Sequence, residues 1–121
     1  MKRDMDLIRK ILQQLEEHPA GNAPESVAVD GTDPLVVGYH CALLVEAGLV
    51  DGAVQDNMGE SPTATIHRLT WQGHEFLDAS RSDALWNKVK TAAAIGGGAA
   101  FQTITRVLIE SGHHALMAHL A

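Results

Sequence analysis

Residues 46–78 read E-A-G-L-V-D-G-A-V-Q-D-N-M-G-E-S-P-T-A-T-I-H-R-L-T-W-Q-G-H-E-F-L-D, and this stretch decides the fold. An apolar helix running from Leu35 to Ala47 reaches Gly48, a residue suited to the position just past a helix end. Leu49–Gln55 and Thr63–Leu69 alternate as strands around the polar loop Asp56–Pro62, which predicts a β-hairpin. Thr70 can then accept from backbone N–H groups of a helix that starts at Trp71 and runs to Ala79 or beyond.

Working outward, Asp4–Glu17 predicts a first helix. Leu7, Ile8, Ile11, Leu12 and Leu15 form one apolar stripe, Asp4 and Asp6 favour the positive end of the helix dipole, and Pro19 and Gly21 end it. Val27 and Val29 suggest a short strand over Glu25–Val29. Thr32 or Asp33 caps the second helix, with Pro34 in its first turn. On the C-terminal side, Ser82-Asp83 can restart the third helix, which continues through Leu85, Trp86 and Val89. Gly96-Gly97-Gly98 reads as a hinge before a last helix, Ala99 to about Leu120, whose apolar face holds Phe101, Ile104, Val107, Leu108 and Leu116.

Helix, short strand, helix, hairpin, helix is the order of an α+β winged-helix-like domain. We place it at residues 1–95, with a glycine hinge and a C-terminal helix at 96–121 as a possible dimerisation or interaction segment. The chain of 121 residues is long enough for one real core, and 45% hydrophobic with 20% charged residues fits a globular domain. The formal net charge of −6 weighs against a free-standing nucleic-acid binder. One cysteine, Cys41, excludes an intrachain disulfide and a cysteine-based zinc site and fits a reducing cytoplasm. Acids at Asp4 and Asp6 occupy the place where a signal peptide needs its apolar core. The uncharged run Ala92–Phe101 is ten residues, against about 20 for a membrane span.

Three blocks carry a family likeness: Met1-Lys2-Arg3-Asp4-Met5-Asp6-Leu7-Ile8-Arg9-Lys10-Ile11-Leu12; Tyr39-His40 leading to Leu43-Leu44-Val45-Glu46-Ala47-Gly48-Leu49-Val50; and Arg68-Leu69-Thr70-Trp71-Gln72-Gly73-His74-Glu75-Phe76-Leu77-Asp78, with Arg81 and Trp86 behind it. In this order, over residues 1–95, they resemble the phage- and prophage-associated domain-of-unknown-function family 2513. That resemblance implies a winged-helix-like fold and a bacterial or phage origin, and no activity.

The residues themselves narrow the chemistry. In a DNA-binding winged helix, the helix before the hairpin enters the major groove. On a helical wheel, Val36, Val37, His40, Cys41, Leu44 and Ala47 share the expected core side of Leu35–Ala47. Leu35, Gly38, Tyr39, Ala42, Val45 and Glu46 share the other, with no Lys, Arg, Asn or Gln to read a base edge. The wing carries Asp56 and Glu60, which repel phosphate. DNA would have to use Lys2, Arg3, Arg9 and Lys10 near the N-terminus and Arg81, Lys88 and Lys90 after the wing.

Small apolar residues around one Tyr suit a protein interface better. We take Leu35, Tyr39, Ala42, Glu46, Phe101, Ile104 and Leu108 as interface candidates. His74 and Asp78 stand four apart on one helix face, but no nucleophile adjoins them, so a solvated face is the expectation and not a catalytic pair. The seven histidines lack helical ligand spacing, His40 is expected to pack or hydrogen-bond inward, and no metal or cofactor is expected. The glycine run lacks a P-loop Lys. Trp71 and Trp86 are expected in the core. The leading reading is a small, non-catalytic, cytoplasmic binding protein, homodimeric or bound to a host or phage protein. The alternative is a DNA-binding transcriptional regulator.

Overall fold

A computed structural model describes residues 1–84, 86, 87, 90 and 91. It is α+β, and its described elements are three helices and one two-stranded antiparallel hairpin: α1 (Met5–Glu17), α2 (Pro34–Glu46), β1 (Val50–Gln55), β2 (Thr63–Leu69) and α3 (Trp71–Ser80). The chain forms two compact units, Met1–His74 and Glu75–Ala121. The glycine run, the tail helix and Phe101, Ile104 and Leu108 lie outside the described residues.

Local chemistry sets the helix ends. Asp4 caps α1, its Oδ1 accepting from the N–H groups of Asp6 at 3.0 Å and Leu7 at 3.2 Å. Pro19 holds His18 in extended backbone (φ −61°, ψ 131°), and α1 stops there. Asp33 caps α2, accepting from Leu35 N–H at 2.8 Å, with Pro34 in the first turn. Gly48 takes the left-handed φ of 75° that turns the chain from α2 toward β1.

The predicted stripe of α1 is buried in full, with Met5 added to it. Within the first unit, α2 packs against α1 and against both strands. The core of this unit is Ile8, Ile11, Leu12, Val37, Leu44, Leu49 and Val50 with their neighbours. Opposition of Asp51 to Arg68 and Gly52 to Ile66 leaves His67 as an extra residue on β2, a bulge. The His67 carbonyl accepts from Ala23 N–H at 2.8 Å.

That single bond replaces the expected strand. Residues 25–29 have no strand pairing; Ala28 C=O instead accepts the Gln14 side-chain amide at 2.7 Å. Two half-buried valines in five residues supply too little apolar face to hold a third strand against β2.

Three hydrogen bonds tie hairpin to helix at the base. Thr70 N–H donates to Leu49 C=O at 3.1 Å, and Thr70 Oγ1 donates to Gly48 C=O at 2.7 Å. The same hydroxyl accepts from Gly73 N–H at 3.0 Å, capping α3. A Cβ on Gly73 would collide with Leu49 O and stand 2.9 Å from Leu69 Cδ2, so only glycine lets α3 start this close to the hairpin. Trp71 corrects the expectation of a core aromatic: it is 78% exposed. Two residues turn a helix by about 200°, so with Gly73 facing inward Trp71 faces out.

In the second unit, Trp86 is buried as expected and meets Phe76 edge-on at 5.9 Å between ring centroids. Trp86 N–H donates to Ser82 C=O at 2.8 Å as helical backbone resumes at Asp83.

Candidate interaction surface

The first unit concentrates its unusual residues around the N-terminal half of α2. Inward, His40 is fully buried. Its Nε2 accepts from Asp4 N–H at 2.8 Å, and its Nδ1 donates to Val36 C=O at 2.8 Å. A backbone N–H can only donate and a carbonyl can only accept, so the pair of bonds fixes the Nδ1–H tautomer. His40 therefore anchors the cap of α1 to α2, a packing and hydrogen-bonding role in line with its sequence. On the opposite flank, a Cβ on Gly38 would lie 2.9 Å from Thr63 Cγ2, which puts the start of β2 against α2.

His40 and Gly38 stand about 160° apart on the helix wheel. Between them the outward face shows Leu35, 56% exposed, with Glu46 exposed and Tyr39 half-buried, its ring edge-on to His40 at 5.8 Å. Ala42, an interface candidate on the wheel, is instead buried at 2% exposure. An almost wholly apolar helix packed on one side by α1 and on another by the hairpin has more than one buried face, and the wheel alone cannot show this.

Of the basic candidates, Lys2 and Arg3 are exposed ahead of α1 and Lys10 is exposed midway along it, while Arg9 is half-buried. In the second unit Arg81 pairs with Asp78 at 3.4 Å and Lys90 is half-buried; Lys88 lies outside the described residues. Arg68 on β2 faces Asp51 at 3.6 Å.

At the hairpin tip, where the sequence points to Asp56 and Glu60, the structure adds Met58. Glu60 N–H donates to Asn57 C=O at 2.9 Å across Met58 (φ 40°) and Gly59 (φ 89°), the pattern of a type I′ turn. Asn57 is spent on the loop, its amide donating to Ser61 C=O and Thr63 Oγ1. Met58 sits where Asn, Asp or Gly is usual and is 99% exposed, flanked by exposed Asp56 and Glu60. The available signal was Gly59 following a residue that does not favour a left-handed φ.

His74 and Asp78 are both exposed on α3. Burial pushes the Cys41 thiol up to about 11. Among the described residues, no three His, Cys, Asp or Glu side chains come together as metal ligands, and no helix is long and apolar enough to cross a membrane.

No solved structure matches the chain. An "Uncharacterized protein" of Haemophilus influenzae is 43% identical over 94 residues, which span 75% of this chain and 77% of that protein. Residues 2–99 match the family described as "Hypothetical protein (DUF2513)". The match covers the hairpin, the Thr70–Gly73 junction and α2 together, and the chain belongs to the DUF2513 family.

Proposed function

We propose that this chain is a winged-helix-like, phage-type binding protein of the cytoplasm. It acts without catalysis, through protein contacts that include a second copy of itself. The carrying observation is the outward face of α2. The helix ahead of the hairpin presents exposed Leu35 and half-buried Tyr39, and holds no Lys, Arg, Asn or Gln along its length. Such a face buries well against protein and offers little to phosphate or base edges. The winged-helix reading is supported by the element order and by the Ala23–His67 bond on the outer edge of β2, where a third strand would lie. A phage origin, in line with the family likeness, makes host regulatory or defence proteins the natural class of further partner.

Sedimentation of the full chain tests this. The wild type is expected as a dimer, and Leu35→Asp as a monomer with unchanged circular dichroism. Unaltered sedimentation of Leu35→Asp would remove α2 from the interface. The second reading, a DNA-binding regulator, draws on the exposed cations Lys2, Arg3 and Lys10. A mobility shift at low salt that disappears in Arg3→Glu/Arg9→Glu would replace the protein-contact reading with that one.

A further inference from the structure

Among the described residues the sulfur-bearing side chains are Met1, Met5, Cys41 and Met58, and the fold gives them unlike surroundings. Met5 is 7% exposed in the buried stripe of α1, and Cys41 is buried on α2. Burial holds the Cys41 thiol protonated to about 11, and a protonated thiol is a poor nucleophile. Met1 is exposed at the start of the chain, and Met58 is 99% exposed at the hairpin tip.

The turn holds the Met58 backbone and leaves its thioether in solvent. The Glu60 N–H bond to Asn57 C=O closes the turn, and the Asn57 amide ties it to Ser61 C=O at 2.9 Å and Thr63 Oγ1 at 3.3 Å. None of these bonds uses the Met58 side chain. The strain of its left-handed φ of 40° arises where Cβ crowds its own backbone. An oxygen added at Sδ is two bonds beyond Cβ and leaves that crowding unchanged. Met58 is also the one apolar side chain in residues 56–61, set between exposed Asp56 and Glu60.

We propose that Met58 is a reversible oxidation site whose chemistry is uncoupled from the fold, with hydroperoxides as its oxidants. A lone pair on Sδ attacks one peroxide oxygen, the O–O bond breaks and an S–O bond forms. The transferred oxygen gives up its proton to the departing one, which leaves as water or, from an organic peroxide, as an alcohol. Sulfur loses two electrons and the peroxide gains them. Two thiols of a sulfoxide reductase reverse the step, forming a disulfide and releasing the oxygen as water. Oxidation turns the apolar centre of the tip polar and chiral, so residues 56–61 become polar throughout while the buried residues keep their packing. No residue of the α2 face takes part.

Hydrogen peroxide tests this on the dilute full-length chain, folded and in denaturing urea, with peptide mass mapping to locate each added oxygen. Met58 is expected to oxidise as fast in the folded chain as in urea, and Met5 at least about tenfold more slowly when folded. Peroxide treatment is expected to move the urea midpoint of wild type no further than that of Met58→Leu, which lacks the site and reports on oxidation elsewhere. A pair of thiol-dependent reductases, one for each sulfoxide epimer, is expected to clear the oxygen from Met58 in the folded chain. Protection of Met58 to the degree of Met5 overturns the proposal. So does a larger midpoint shift in wild type than in Met58→Leu, or a Met58 sulfoxide that the reductases leave in place.

Discussion

His40 does at residue scale what a core side chain of its size seldom does: it satisfies backbone groups from two elements. Phenylalanine in its place keeps the volume but leaves Asp4 N–H without its acceptor and Val36 C=O without the ring donor. An unsatisfied buried donor costs about 1–3 kcal/mol, so His40→Phe is expected to lower unfolding stability by about 2 kcal/mol in urea titration. An unchanged midpoint would show that the ring serves only as filler. Cys41 beside it makes a pH prediction. Its thiol is held protonated to about 11 in the fold, against an ordinary value of 9.0. The folded state therefore binds the proton more tightly than the unfolded one. Stability from this group is complete below pH 9 and falls as pH rises from 9 toward 11, by about 2–3 kcal/mol. Cys41→Ala should flatten that alkaline slope in denaturation curves measured from pH 8 to 11. The inward placement of His40 was legible because it shares the wheel with Val37, Cys41 and Leu44; its reach to Asp4 was not, since nothing in residues 4 and 40 signals that two helices meet there.

Between elements, the junction of Gly48, Leu49, Thr70 and Gly73 fixes where the third helix leaves the hairpin. Helix propensity alone says that alanine at position 73 should stabilise by about 1 kcal/mol. The close approach of Leu49 O and Leu69 Cδ2 says the reverse, and overpacking of this kind costs about 1–3 kcal/mol. Gly73→Ala is therefore expected to destabilise, and the sign alone decides between the two. At the other end of the hairpin, Met58→Asn relaxes a left-handed residue and should raise the thermal midpoint, by about 1 kcal/mol of stability. The junction was readable in advance from Thr70 and from strands of matching length around Asp56–Pro62. The missing strand at residues 25–29 was not, because two valines look alike whether they pair or merely pass a neighbour. Ala42 was hidden for a related reason: an all-apolar helix gives no polar stripe to show which sides are covered.

Across the whole molecule the two tryptophans fall in different units, Trp71 in Met1–His74 and Trp86 in Glu75–Ala121, in opposite environments. Sequence alone put both in the core, since a large aromatic beside an apolar run is usually inside. What reversed Trp71 is its place two residues before a glycine that must face Leu49. The consequence is measurable without any partner. In Trp71→Phe the remaining fluorophore is 2% exposed beside Phe76, so its emission should be blue-shifted, resist acrylamide, and move red as the second unit unfolds. In Trp86→Phe the remaining fluorophore is 78% exposed, so emission should start near its unfolded wavelength and quench readily in the monomer. Following both variants through one urea titration then resolves the units. Coincident transitions, with Trp71 read by intensity and Trp86 by wavelength, mean that Met1–His74 and Glu75–Ala121 unfold as one cooperative body; separated midpoints mean that each holds its own core. A blue, protected Trp71 in dilute Trp86→Phe would contradict the outward placement that Gly73 imposes. The same protection appearing only at concentrations where the chain dimerises would place Trp71 in the interface alongside Leu35.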